Sequence, residues 1–365
     1  MLLVIKYLGS KRRFVPLLGA IATASGATRA VDLFTGTTRV AQEFKRRGLA
    51  VTANDVASYS KVLADCYIGT DAALVDADEL RAAIDRLQRL PGKRGYFTRT
   101  FCEESRYFQP KNGMRVDAIR DAIEEDYLAS PLRPILLTGL MLAADRVDST
   151  TGVQMAYLKD WAPRAYNDLE LRVPELLPGP GHAEQKDAFE LARELPRTQL
   201  VYLDPPYNQH RYFTNYHVWE TLIRWDAPEA YGVARKRADA RDESTKSVYN
   251  RKRKMPTELC RLLAAIDTEL AVVSYNNESW ISVEEMMTTL RDVGFEDVRL
   301  LSFDHKRYVG AQIGIYNPSG EKVGKVSHLR NLEHVFLAGP SDLVDACAAA
   351  CLLKGGPGQD GGSGQ

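Results

Sequence analysis

"RAVDLFTGTTRVAQEFKRRGLAVTANDVASYS", residues 29–60, carries the rhythm from which the fold is read. A short apolar strand, AVDLF, ends in TGTT. An amphipathic helix follows, with Val40, Ala41 and Phe44 on its inner face. Gly48 stands where a glycine commonly closes a helix. A second strand, AVTAND, runs into Asp55. Strand, helix and strand at this spacing open a βαβ unit, which presents ligand groups at the carboxyl edge of a parallel sheet. Gly36 lets the backbone approach a ligand closely, and Asp55 is placed to accept hydrogen bonds from ribose hydroxyls. The stretch lacks G-x-G-x-x-G, which weakens a dinucleotide reading. The same letters also suit an ordinary strand–turn–helix with a capping threonine.

Outward from this unit the α/β character continues. Residues 78–90 read as a helix, and LPGKRGY (90–96) as a break. From Phe101 to Trp161 the spacing is mainly helical, in VDAIRDAIEEDYL and RPILLTGLMLAADRVDS. LRVPELLPGPGHAE (171–184) is rich in Pro and Gly and reads as a linker. Strands are expected in LVYLDPP, LAVVSYNN and VRLLSF, with helices near 256–267 and 283–293 between them. Residues 226–255 are charged without a sustained apolar period, as in a mobile loop. NPSGEKVG (317–324) reads as a turn between two extended stretches. After Gly339 the chain runs to GGPGQDGGSGQ, a flexible end by composition.

VYLDPPYN, residues 201–208, is the second informative stretch. Val201, Tyr202 and Leu203 end a buried strand, and Pro205 and Pro206 stop it, because neither donates to a ladder and both fix φ. Asp204 and Tyr207 are thereby held at the strand's carboxyl end. A carboxylate and the Pro205 carbonyl can each accept a hydrogen bond from an exocyclic amine, and stiff prolines keep these acceptors aimed. Tyr207 can stack on a base flipped from its duplex. A strand followed by a proline turn is the plain alternative.

Composition limits the remaining possibilities. The chain has 365 residues, 45% of them apolar, enough for a sizeable core. Lys plus Arg and Asp plus Glu both number 48, so any basic surface must be local. Candidates are RRF (12–14), PGKRGYFTR (91–99), YNRKRK (249–254) and HKRYVG (305–310), which mix cations with aromatics in the manner of phosphate and base contacts. Five scattered cysteines (66, 102, 260, 347 and 351) fit a reducing cytoplasm better than a disulfide framework. No His or Cys near Cys347 and Cys351 completes a zinc site, so no metal is expected. Lys6 interrupts the apolar start MLLVIKYLGSKRRF, which argues against a signal peptide. No apolar run reaches the roughly 18–20 residues of a membrane span.

Taken in order, KYLGSKRRF (6–14), DLFTG, AADRVDSTTGVQMAYLKDW, YLDPPYNQHRYFTNYHVWETL and VVSYNN resemble the adenine-N6-specific DNA methyltransferases of the D12, or alpha, group. The resemblance covers most of residues 5–338. It implies a Rossmann-like, seven-stranded methyltransferase fold with its last strand antiparallel, S-adenosylmethionine as cofactor and double-stranded DNA as partner. A cognate restriction endonuclease is a further possible partner. The implied organisation is a cofactor half (1–88), a helical inserted target-recognition region (89–178), a catalytic half (179–338) and a flexible tail (339–365). Tyr7, Gly9, Ser10 and Lys11 would lie near the methionine end of the cofactor. Asp32, Phe34 and Gly36 would form its main pocket, Asp55 would hold the ribose, and Asp187 in AEQKDAF would contact the adenine amine. Asp204, Pro205, Pro206 and Tyr207 would form the target-base site. Thr38 stands where the group often has a second glycine, and its side chain is expected to narrow the cofactor pocket. An RNA, cytosine-N4 or protein-side-chain methyltransferase, or an inactive nucleic-acid-binding module, would share much of this pattern.

Overall fold

A computed structural model describes residues 5–207, 209, 211–276, 279–306 and 330–353. The seven strands of its main sheet are β1 (Arg29–Asp32), β2 (Ala50–Asn54), β3 (Gly181–Glu184), β4 (Thr198–Leu203), β5 (Thr268–Asn276), β6 (Asp297–Lys306) and β7 (Arg330–Gly339). They are ordered β3-β2-β1-β4-β5-β7-β6. The pairs β2–β3, β1–β4 and β4–β5 are parallel, whereas β7 is antiparallel to both β5 and β6. Among these pairs only those made by the last strand are antiparallel, in the expected, mostly parallel α/β architecture.

The chain divides into two compact units. One gathers the described residues of Met1–Ser10, Thr35–Asp187 and His210–Ser247; the other gathers those of Lys11–Phe34, Ala188–Gln209 and Val248–Gln365. Each unit is thus assembled from separated stretches of sequence.

In the second unit, β4 is buried at five of its six positions, Gln199 excepted. That near-continuous burial is why TQLVYL does not alternate: a central parallel strand is covered on both faces. Leu200 and Leu203 are fully buried, and Val201, Leu203, Ala271, Val273 and Phe336 share one core cluster. Helix Met255–Ala265 begins with Pro256 in its first turn, where a missing N–H costs nothing. Helix Val283–Asp292 opens on a capping box formed by Ser282 and Glu285. The expected flexible tail is overturned over Ser341–Leu353, which form a helix. Val344, Cys347, Ala348 and Cys351 are buried, and the Cys347 thiol donates to the Ile21 carbonyl on helix Val15–Ala24. This apolar spacing of three and four residues is what the glycine-rich composition beyond it obscured. Residues 317–324, read as a turn, lie outside the described residues.

In the first unit, helix Ala77–Arg89 is capped by Asp76, whose carboxylate accepts from the N–H groups of Asp78 and Glu79. Helices Pro110–Tyr127 and Arg133–Arg146 follow as the spacing predicts. Arg120, only 1% exposed, donates to the carbonyls of Leu222 and Ile223, the last turn of helix His217–Arg224. Two readings are corrected here. The supposed linker 171–184 ends in β3, and a Cβ on Gly181 would stand 2.4 Å from the Ile68 carbonyl oxygen. The glycine there marks close backbone approach rather than slack. The supposed mobile loop contains an antiparallel pair, Ala230–Tyr231 with Lys236–Arg237. It is pinned by Arg237, which is 2% exposed and gripped by Asp226 and Asp239. A buried cation satisfied by two carboxylates holds a segment that has no apolar period to announce it.

Candidate active site

The proline turn behaves as its composition requires. β4 ends at Leu203, and Asp204, Pro205, Pro206 and Tyr207 follow with no regular structure. Lys11, 7% exposed, holds its ammonium 3.1 Å from Asp204 Oδ1. The same ammonium donates to Glu333 Oε1 on β7. Burial pushes the Asp204 carboxyl up to about 6, against the pull of Lys11 and with help from the repulsion of Glu333. Burial alone would depress Lys11, but Asp204 and Glu333 outweigh it and hold the ammonium well above its ordinary value. The Tyr207 hydroxyl accepts a 3.0 Å hydrogen bond from Asn276 Nδ2, and its ring meets that of Tyr275 edge-on at 5.4 Å. Asp32 is buried at the end of β1 in register with Tyr202, and the Phe34 ring abuts Tyr249 at 90°. All these residues belong to the second unit.

The first unit carries the glycine turn. Gly36 has φ +51°, and its N–H donates 2.9 Å to Asp55 Oδ2. Asp55 Oδ1 accepts from the Ala57 N–H at 3.0 Å, so one carboxylate ties the turn after β1 to the chain after β2. Burial raises the Asp55 carboxyl to about 6, although the backbone N–H groups of Ala57, Gly36 and Val56 lower it. A Cβ on Gly36 would stand 3.3 Å from the Tyr7 ring. That ring stacks on Tyr216 at 4.6 Å and on Tyr212 at 5.2 Å. Gly9 has φ +76°. Ser10 Oγ is buried without a hydrogen-bond partner among the described residues. Asp187 is exposed directly before helix Ala188–Glu194.

The family model described as D12 class N6 adenine-specific DNA methyltransferase matches residues 7–289. The chain belongs to that family. Among its relatives, type II methyltransferase M.NlaIII of Neisseria lactamica is 32% identical over 288 residues, covering 76% of this chain and 83% of that one. Modification methylase StsI of Streptococcus sanguinis is 30% identical over 311 residues, and this chain spans 47% of its length and 80% of its own. Type II methyltransferase M.CviAII of Paramecium bursaria Chlorella virus 1 is 28% identical over 298 residues, covering 77% of this chain and 84% of that one.

The methyltransferase's glycine turn fits a nucleoside cofactor on its own terms. Gly36 leaves the space in front of Tyr7 clear of a side chain, and Ser10 Oγ is a buried polar atom awaiting a partner. Thr38, the residue expected to narrow the cofactor pocket, closes this turn with its N–H on the Thr35 carbonyl at 2.6 Å. It sits at φ +63° and is fully buried, with Oγ1 donating to the Thr37 carbonyl and accepting from Gln42 Nε2 at 2.7 Å. Its hydroxyl is spent on the following helix, and the cost is a left-handed backbone of about 1–2 kcal/mol. Nor does it cap that helix as an ordinary capping threonine would.

Lys11, expected near the methionine end of the cofactor, places its ammonium between Asp204 and Glu333 of the second unit. Glu333 and Asn276 were missed. Asn276 lies within VVSYNN as the last residue of β5, and that strand-end position could have flagged it. Glu333 carries no local signal, since NLEHVF reads as an ordinary strand.

Proposed function

We propose that this DNA methyltransferase uses S-adenosylmethionine to methylate N6 of an adenine flipped out of duplex DNA, with Asp204, Pro205 and Tyr207 holding the base. The observation that carries the reading is the half-buried Asp204 carboxylate just after β4, paired with Lys11 and followed by a rigid proline turn and Tyr207. S-Adenosylmethionine supplies a methyl group activated by its sulfonium centre.

Asp204 and the Pro205 carbonyl accept the two N6 hydrogens, which frees the amine lone pair from conjugation with the ring. S-Adenosylmethionine would give its methyl group to this nitrogen and leave as the neutral thioether, and Asp204 would take the N6 proton released. A carboxylate near 6 suffices, because the amine becomes acidic only as the methyl group arrives. Tyr207 stacks on the base, and Asn276 holds its hydroxyl. Aiming these groups in advance supplies most of the rate.

Tyr7, Gly9, Ser10, Gly36 and Asp55 hold the cofactor, with Asp55 at the ribose and Asp187 at the adenine amine. Asp32 and Phe34 shape its pocket. The helical region 89–178 selects the target sequence. Exposed Lys252, Arg253 and Lys254 contact phosphates, as do Arg12 and Arg13 beside Lys11. The names of the relatives support a modification role; a place in the cytoplasm and a cognate endonuclease belong to the proposal. No described helix is long and apolar enough to cross a membrane.

Sequencing DNA from an expressing host by a modification-sensitive method tests the reading. N6-methyladenine at one recurring motif is expected, absent from a host carrying Asp204→Ala. Unmodified adenine, or methylation on another base, would overturn it.

A further inference from the structure

Lys11 is shared. Its ammonium faces Asp204 Oδ1 at 3.1 Å and donates to Glu333, and the three side chains are 7%, 19% and 10% exposed. Two carboxylates around one ammonium leave the cluster one negative charge in excess. Topology explains how Glu333 gets there. β4 and β5 are parallel, so Asp204 and Asn276 lie at their carboxyl ends. β7 is antiparallel to β5 with Glu333 opposite Asn276, so an early residue of the last strand reaches the same edge. Oδ1 of Asp204 has no aligned hydrogen-bond donor among the described residues, although Lys11 stands at ion-pair distance. Lys11 is therefore divided between Glu333, to which it donates, and Asp204, which it faces at ion-pair distance.

We propose that Glu333 is a positioning residue for methyl transfer: by holding Lys11, it keeps the ammonium from neutralising Asp204 and preserves the accepting strength of that carboxylate toward the target amine. The inference rests on the assignment of Asp204 to the base site. Without Glu333, Lys11 would pair with Asp204 alone. The carboxylate would then ionise more readily and accept more weakly, because a nearby cation favours its charged form and a nearby anion disfavours it. Among the described residues, the other groups facing the cluster are Tyr202 and Tyr207, with Asp32 and Tyr275 behind them. His334, next along β7, carries a 2.9 Å hydrogen bond between Nδ1 and Ser302 Oγ.

The test is the pH dependence of the single-turnover rate on unmethylated DNA at saturating S-adenosylmethionine, for the full chain and for Glu333→Gln, Glu333→Asp, His334→Gln and Asp204→Asn. Glu333→Gln should lower the plateau rate roughly ten-fold and move the acid limb to lower pH, with cofactor affinity unchanged. Glu333→Asp, which keeps the charge, should restore most of the rate and the position of the limb. An unmoved limb, a limb displaced to higher pH, or equal losses in the Gln and Asp variants would overturn the proposal in favour of plain packing. So would loss of the limb in His334→Gln, which would assign it to the imidazole. Asp204→Asn at full rate would instead remove the base-site reading itself, an outcome separate from any result at Glu333.

Discussion

The proline turn of the second unit and the glycine turn of the first solve opposite problems. At the glycine turn, the working parts are backbone: a positive-φ glycine, two amide donors on Asp55, and an aromatic ring against bare Cα. At the proline turn, the working parts are charges taken out of water and balanced against each other, Lys11 between Asp204 and Glu333. Both carboxylates are pushed to about 6 by burial, yet different groups hold them down: N–H dipoles at Asp55 and a full cation at Asp204. Under the proposed assignment, the turn that binds is built from local geometry, and the turn that activates an amine is built around a charge set by its neighbours.

Removing each charge or ring in turn breaks that contrast at its strongest points first. Asp204→Ala should cost a hundred-fold or more in methyl transfer, on the order of 10²–10⁴ for a lost proton acceptor. Calorimetry should find cofactor affinity within a few-fold of the parent. Equal losses in binding and rate would mean that the two turns do not divide the work. Rate should also fall as pH drops through about 6, because Asp204 accepts only when ionised and burial has raised its carboxyl that far. A flat profile down to pH 5 would contradict that sign.

At the other turn, Asp55→Ala should weaken cofactor binding by about 1.5–3 kcal/mol, the value of a charge-assisted hydrogen bond. A dissociation constant unchanged in a normally folded chain would take Asp55 out of the site. Tyr207 separates stacking from support. Tyr207→Ala should lose about ten-fold in rate, on a stacking value of roughly 1–3 kcal/mol. Tyr207→Phe should keep most of the rate and lose about 0.5–1.5 kcal/mol of stability with the Asn276 hydrogen bond. Melting and turnover measured on both variants distinguish the two roles. The smallest effect is expected at Thr38→Gly: relief of the left-handed backbone is offset by loss of the Gln42 hydrogen bond. Cofactor affinity should stay put, and a large gain would show that the threonine does crowd the turn.

The local features were legible because their cause is local. Val40, Ala41 and Phe44 are buried on the helix after β1, and Gly48 takes φ +88° past its end. Asp55 follows β2, and Asp204 follows β4, as strand lengths and breakers require. Where composition was the only guide, it misled. The PGPG stretch precedes a sheet strand, a charged run folds around Arg237, and an apolar helix precedes the glycine-rich end.

By itself, then, the sequence determined the α/β alternation, the two turns and the identity of the residues at them, because propensity, periodicity and chain breakers act over a few residues. The tertiary structure decided the partners of Lys11 and the arrival of Glu333. Each of these depends on strand order and direction. An antiparallel β7 beside β5 places residue 333 at the edge that residue 204 occupies, and no short-range signal encodes which strand lies beside which. That pairing is set by the burial of whole faces against one another, the non-directional term that dominates folding and is written over the entire chain.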